Sequence, residues 1–259
     1  MLRLLFVIIR YWDLIIALAV KDLKVRYKSA FLGFLWAILT PLFLAIIFFI
    51  VFTKIIPMGI DRYPIFLLCA LFPWNFMQVS LSMGTVSIVT SGNLIKKVYF
   101  PREVIPISVV FSNAYNLVLS FLILILAIVL SGGGIKPPIL LLPFIVICQI
   151  VFTLGLLFIF AGLHTYYRDV KYMVEIFTLG WFYLTPIFYP IDLIPISFRK
   201  IYMFLNPMAI FVDFYRGVML YGAWPNLFNF MYLVSVSIAM YFVGLFIFKK
   251  YEPLFADVV

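Results

Sequence analysis

Residues able to do covalent chemistry are few in this sequence, and they are scattered. His164 is the single histidine and lacks partners at the spacing of a metal site or a catalytic triad, so a packed or hydrogen-bonded imidazole is expected. Cys69 and Cys148 each lie inside a long apolar run, without metal spacing, and read as small packing residues rather than a disulfide. The ten acidic residues are dispersed, whereas a membrane-embedded transferase would need paired carboxylates or metal ligands at one interface. Gly132-Gly133-Gly134 precedes Pro137-Pro138 as a tight loop, and no Gly-Lys dipeptide occurs anywhere, so a Walker-type nucleotide site is absent. No catalytic residue, metal ligand or cofactor is expected in this chain.

The remaining charged clusters suit binding. Around Lys96 and Lys97, Gly92 can break a preceding helix, Asn93 can cap a new one, and Pro101 can end it. The helix predicted over 93–100 sets Leu94, Ile95 and Val98 beside the two lysines, an amphipathic piece able to seat in a groove of another protein. Arg168–Asp169, next to Tyr166 and Tyr167, is an adjacent opposite-charge pair in a second basic link; a solvated loop is the plainer reading of it. Arg216 lies near membrane depth, where a charge needs a partner, and Asp213 stands three residues before it.

These residues must be held by membrane-spanning helices. The chain is 66% hydrophobic and 11% charged, with mean hydropathy +1.20, against roughly a quarter charged in a soluble domain. Runs 29–53, 63–95, 104–135, 137–167 and 217–248 carry no Asp, Glu, Lys or Arg, and each exceeds the ~20 residues that cross a bilayer core. A shorter run from 176, extended back to Tyr172, adds another span with Glu175 near its end. The prediction is an all-α bundle of six spans: 31–53, 63–86, 104–130, 139–163, 172–190 and 228–248. Thirteen of the 19 Lys and Arg then fall on the side of the termini and six on the other, making both termini cytoplasmic. The net charge of +9 does not indicate nucleic acid, because the basic residues are spread between apolar runs.

Two segments depart from that pattern. On a helical wheel Arg3, Arg10, Asp13, Lys21, Lys24 and Lys28 fall in a sector of about 80°, so residues 1–28 are predicted as an amphipathic helix on the cytoplasmic interface. Ala17-Leu18-Ala19 resembles a signal cleavage site, but Arg10 and Asp13 interrupt the apolar core that a signal requires. Residues 192–226 are Pro-broken and rich in aromatics, with apolar pieces too short to span, and read as a re-entrant region before the last span.

The ordered set Lys21–Pro41, NLIKKVYFPRE (Asn93–Glu103), YYRDVKY (Tyr166–Tyr172), YLTPIFYP (Tyr183–Pro190), Leu205-Asn206-Pro207, FYRGVML (Phe214–Leu220) and the closing KKYEPLFADVV covers nearly the whole chain. Together these segments resemble the permease subunit of type-two ABC polysaccharide exporters, nearest to O-antigen permeases and related to those of capsule and teichoic acid. The resemblance implies a homodimer in the bacterial inner membrane with two separate ATPase subunits, which hold ATP and Mg, exporting an undecaprenyl-linked glycan. It implies that Asn93, Leu94, Ile95, Lys96, Lys97 and Val98 couple to the ATPase. Tyr166, Tyr167, Arg168 and Asp169 would form the cytoplasmic mouth or a second contact. Asn206, Pro207, Tyr215 and Arg216 become outer-gate candidates. Trp74, Trp181 and Tyr183, near span ends, are channel-lining candidates, since sugar rings offer C–H faces to aromatic planes. An ion-coupled carrier would need ionisable residues within its spans, and these offer almost none besides Glu175.

Overall fold

The computed structural model describes residues 7–28 and 31–255, and among them the regular structure is entirely helical. In chain order the principal helices are α1 (Trp12–Tyr27), α2 (Trp36–Ile50), α3 (Tyr63–Thr90), α4 (Gly92–Lys97) and α5 (Val104–Leu130). Then follow α6 (Leu142–Tyr166), α7 (Val170–Leu184), α8 (Ile196–Leu205), α9 (Pro207–Arg216) and α10 (Leu227–Tyr251). Among the described residues five stretches are long and apolar enough to cross a membrane: Ile38–Ile55, Tyr63–Thr90, Val104–Leu130, Pro137–Tyr166 and Leu227–Tyr251. The protein is a multi-span helical membrane bundle.

α3 is its axis. It is apolar almost all round, the pattern of a helix surrounded by others, and its buried residues run from Tyr63 to Ile88. Packing between helices in a membrane relies on close backbone approach, for which small residues are required. α6 and α10 cross at two of them. A Cβ built on Gly244 would lie 2.0 Å from the Gly155 carbonyl oxygen, and one on Gly155 would lie 2.5 Å from the Met240 backbone. Farther along the same pair, Gly162 faces Phe248.

The sequence expectation of a continuous span over 172–190 is met in part. α7 ends at Leu184 after 15 residues, about 22 Å of helix at 1.5 Å per residue against ~30 Å of hydrocarbon. Pro186 explains the stop, because it pushes Thr185 out of the helical region, and Thr185 is extended with ψ 139°. Thr185 and Ile187 are nevertheless buried. Beyond them α8 and α9 are bent by 106° at Asn206; α8 has no buried residue, whereas α9 buries most of its side chains.

Residues 1–6, Arg3 among them, lie outside the described part of the predicted N-terminal helix. α1 crosses α5, with Trp12 edge-on to Phe111 at 5.9 Å and Arg26 Nη1 donating to Asn113 Oδ1 at 2.9 Å. Ile15 and Ala19 are buried while Ile9 and Val25 are exposed, so apolar side chains point both inward and away from the bundle.

Gly244→Val drives a branched side chain into the Gly155 carbonyl. Overpacking of this kind costs about 3 kcal/mol or more, so the variant should fail to accumulate or melt at least about 6 °C lower in detergent. Gly180→Ala, where nothing lies within 4 Å of the added Cβ, is the matched control and should melt no lower than the parent.

Candidate functional site

The broken end of α7 leaves carbonyl groups that no helix bond reaches, and the α8–α9 hairpin supplies their donors. Arg216, 4% exposed, donates from Nη1 to the Pro186 carbonyl at 2.7 Å and from Nη2 to the Ile187 carbonyl at 2.5 Å. Its Nε donates to the Phe66 carbonyl on α3 at 3.2 Å, and the guanidinium lies 3.5 Å over the Phe66 ring. The planar fork of an arginine spreads its donors over three nitrogens and so reaches three separated carbonyls, whereas the three donors of a lysine share one nitrogen. Asn206 works at the other side of the break. Its Nδ2 donates to the Leu184 carbonyl at 3.0 Å and to Thr185 Oγ1 at 3.2 Å. Its Oδ1 accepts from Trp181 Nε1 at 2.8 Å and from the Ala209 amide at 3.3 Å, which caps α9. Tyr202 on α8 also donates to the Leu184 carbonyl.

Pro207 opens α9 at the position where its missing N–H costs nothing. Near the far end, Tyr215 donates to Gln149 Oε1 at 2.7 Å, and Gln149 Nε2 donates to the Pro73 carbonyl at 2.8 Å, joining α9, α6 and α3. The structure thus brings Asn206, Pro207, Tyr215 and Arg216 together on one buried helix that closes the break in α7. The expected Arg216–Asp213 ion pair is not formed: Nε, Nη1 and Nη2 all go to backbone carbonyls, the more pressing demand. Ile191 and Asp192 before the hairpin and Asp213, Arg216 and Tyr221 at its end border one cavity of ≈ 140 Å³.

A larger cavity of ≈ 700 Å³ opens among α6, α7, α8 and α10, with Phe152, Phe177, Trp181, Tyr202 and Phe204 on its wall and Asn206 at its floor. The three aromatic lining candidates separate here. Trp181 is on the wall. Trp74 is 2% exposed and packs edge-on behind Trp181 at 6.0 Å, with its Nε1 donating to Gln78 Oε1. Tyr183 is exposed on α7 but outside that cavity, its ring against Phe182 and Phe188.

At the opposite end of the bundle, α4 runs over Gly92–Lys97 and is shorter than the predicted 93–100. Ser91 rather than Asn93 occupies the N-cap position, its carbonyl accepting from the Leu94 and Ile95 amides. Ile95 is buried and Leu94 packs on the core, while Asn93, Lys96, Lys97 and Val98 are exposed. Val98 therefore leaves the apolar face expected of it, because the chain turns extended there. It stands beside Tyr99, which is almost fully exposed and which the sequence reading passed over. Next to this segment Lys249 of α10 bonds Glu103 at 2.7 Å and also Glu252, and Tyr166 meets Tyr251 with ring centroids 5.4 Å apart. The Tyr166–Asp169 link and the α5 start therefore share one end of the bundle with the end of α10. Tyr167, Arg168 and Asp169 are exposed there. On α1, burial pushes the Asp22 carboxyl above the usual range, opposed by Lys21 and Arg26.

Gln149 and Glu103 escaped sequence reasoning. The available signal was their position, a polar amide and an acid within or beside long apolar runs where each needs a partner. Among the described residues no group of three or more His, Cys, Asp or Glu is placed to hold a metal ion.

Residues 13–220 match the ABC-2 type transporter family. The chain belongs to that family. Members of the ABC-2 type transporters are membrane permeases, so its role is transport rather than catalysis. An O-antigen export system permease protein RfbA of Myxococcus xanthus is 32% identical over 258 residues, covering 99% of both chains. Another of that name from Klebsiella pneumoniae is 34% identical over 254 residues, 96% of this chain and 95% of the relative. The polysialic acid transport protein KpsM of Escherichia coli is more distant, 24% identical over 245 residues, with 91% and 92% covered. In this ABC-2 permease the α7 break and its hairpin are the parts most dependent on a few side chains.

Arg216→Leu orphans three carbonyls that lose charge-assisted bonds worth ~1.5–3 kcal/mol each. A melting temperature lower by about 10 °C or more is expected in detergent, with Arg216→Lys intermediate. Asn206→Ala should cost only about 1–2 kcal/mol. Thermal unfolding followed by size-exclusion monitoring gives the order.

Proposed function

We propose that this chain is the transmembrane subunit of an ATP-driven exporter that carries an undecaprenyl-linked, O-antigen-type polysaccharide from the cytoplasmic to the outer side of the bacterial inner membrane. The observation that carries this reading is the end-to-end likeness to O-antigen export permeases, together with the lack of any nucleotide-binding motif in the sequence. The working assembly is a homodimer with two separate nucleotide-binding subunits, which hold ATP and Mg. Capsular or teichoic acid export is the second reading, favoured by the weaker likeness to a polysialic acid transporter.

In this reading both termini are cytoplasmic, and α1 lies along the inner interface with the stripe of Arg10, Asp13, Lys21, Lys24 and Lys28 toward lipid headgroups, while Arg26 turns inward to Asn113. Residues 29–259 form the permease domain. The α7 segment and its irregular, bent continuation to Pro190 complete the sixth crossing. The α8–α9 hairpin over 192–226 enters from the outer side and returns to it, a path supported by the cavity that its two ends share. Irregular backbone at that depth is tolerated only where protein satisfies it, and Arg216 and Asn206 do so. Asn206, Pro207, Tyr215 and Arg216 then act as the outer gate, because whatever displaces α9 must release the end of α7. Trp181 and Tyr183 face the glycan path formed with the second copy, and Trp74 backs them.

The ATPase contact is α4. Ile95 and Leu94 fasten it to the bundle, and Lys96, Lys97, Val98 and Tyr99 are the surface offered to the partner. Tyr166, Tyr167, Arg168 and Asp169 lie at the same end and serve as the cytoplasmic mouth or a second contact. Lys96→Glu combined with Lys97→Glu inverts the charge of the surface offered to the partner, and a cost above about 1.4 kcal/mol, which equals tenfold in affinity, is expected. Export of surface polysaccharide and co-purification of the ATPase should each fall about tenfold or more, while membrane insertion stays intact. Full export by that double variant would remove the coupling role.

A further inference from the structure

A cavity of ≈ 260 Å³ lies between α2, α3 and α5, away from the hairpin and from the α4 surface, and its lining is unexpectedly polar for a chain that is 66% hydrophobic. Thr40, Asn75, Asn113, Asn116 and Ser120 border it, and Arg26 reaches in from α1. The spacing is helical on each wall. Asn113, Asn116 and Ser120 stand at i, i+3 and i+7 on α5, Phe72, Asn75 and Phe76 at i, i+3 and i+4 on α3, and Trp36 and Thr40 at i and i+4 on α2. α5 thus turns a polar stripe, and α3 and α2 one polar residue each, toward a single cavity, where an unsatisfied group costs several kcal/mol.

Two of these polar atoms are buried and unbonded among the described residues, Nδ2 of Asn113 and Oδ1 of Asn116. Asn113 is 2% exposed, and its Oδ1 already accepts from Arg26 Nη1, which leaves the amide NH2 as the unused half. An unused donor and an unused acceptor on one wall are complementary to a hydroxyl, which accepts and donates through the same oxygen. A phosphate oxygen can only accept and would leave Asn116 Oδ1 bare. No carboxylate borders the cavity, so nothing there selects a cation. Trp36, Phe72 and Phe76 add flat apolar faces, against which the C–H side of a sugar ring can lie. The volume lies just below the ~300 Å³ of small ligand pockets.

We propose that this cavity is an intramembrane saccharide subsite, in which Asn113 and Asn116 bind one hydroxyl of a glycan ring and Trp36, Phe72 and Phe76 bind its apolar face. It rests on the polysaccharide reading above. A neighbouring cavity of ≈ 340 Å³ shares Arg26 and is bordered by Ser87, Thr90, Ser91 and Ser108 together with Leu18, Met83 and Val86. Ser91 stands at the N-cap position of α4, so that cavity reaches toward the proposed coupling end.

The test uses the full-length chain in nanodiscs, with Cys69 and Cys148 replaced by alanine and Asn116→Cys introduced. Reaction with a small methanethiosulfonate reagent is timed with and without the host polysaccharide cleaved from its lipid, glycerol at equal hydroxyl concentration being the control. At four times its Kd the glycan should slow the reaction roughly fivefold. In the assembled exporter, Asn116→Leu should melt no lower than the parent, because it removes an unpaired buried group, yet export at least about tenfold less. An unprotected thiol, or an Asn116→Leu exporter working at the parental rate, means that the cavity holds only water and overturns the subsite. Parental export with an unprotected thiol sinks the subsite alone. A parent that neither exports glycan nor is protected by it removes the polysaccharide reading as well. The protection measurement decides the matter even where Asn116→Leu fails to accumulate.

Discussion

Everything at the hairpin end of this bundle depends on one demand, that a backbone carbonyl buried away from water must receive a hydrogen bond. Pro186 ends α7 before the helix is long enough to span, so the carbonyls of Leu184, Pro186 and Ile187 face the interior without helical partners. Arg216 and Asn206 meet that demand from a single short helix, and Tyr202 assists. Burying a guanidinium is expensive when it is alone. Here its cost is offset by three carbonyls and the face of Phe66. The arrangement ties α9 to the end of α7 through the side chains of Arg216 and Asn206.

From that joint the structure is stiff. α9 is joined to α6 and α3 through Tyr215, Gln149 and the Pro73 carbonyl, and α6 is held against α10 at a crossing where Gly155 and Gly244 leave no room for a side chain. At the other end α10 is tied to α5 through Lys249 and Glu103, beside the exposed α4. Long helices packed without play carry a displacement from end to end as rigid bodies. Such a frame suits the proposed exporter, in which α4 is the energy input and the hairpin end the exit, about 30 Å apart across the hydrocarbon. The polar residues of the α2–α3–α5 cavity stand apart from this frame, and among them Asn113 Oδ1 holds α1 through Arg26 while its Nδ2 is unbonded.

Much of the membrane plan could be read from the chain alone. Charge-free runs longer than a bilayer crossing mark α2, α3, α5, α6 and α10, because lipid tolerates neither scattered charge nor unpaired backbone. The basic links with Lys96, Lys97 and Arg168 were equally visible. Residues 192–226 stood out because prolines and charges divide apolar pieces too short to span. The details of pairing were less legible. Asp213 is the obvious neighbour for Arg216 in sequence, but the guanidinium turns to carbonyls that lie 29, 30 and 150 positions away. Trp74 and Trp181 looked alike as aromatics near span ends, and only packing put one on a cavity wall and the other behind it. Asn93 looked like a cap, yet the turn begins two residues earlier, because the end of α3 at Thr90 sets where α4 can start.

The sequence by itself determined that this is a helical membrane protein lacking a Walker-type Gly-Lys motif, and which loops are basic. Both follow from composition and short motifs, whose physics is local: transfer into lipid is decided residue by residue. The tertiary structure decided what Arg216 bonds, how Gly155 and Gly244 meet, and that Asn113 and Asn116 share a cavity with Trp36. Those relations join helices far apart in the chain, and their energies depend on which buried groups find partners once the bundle has closed.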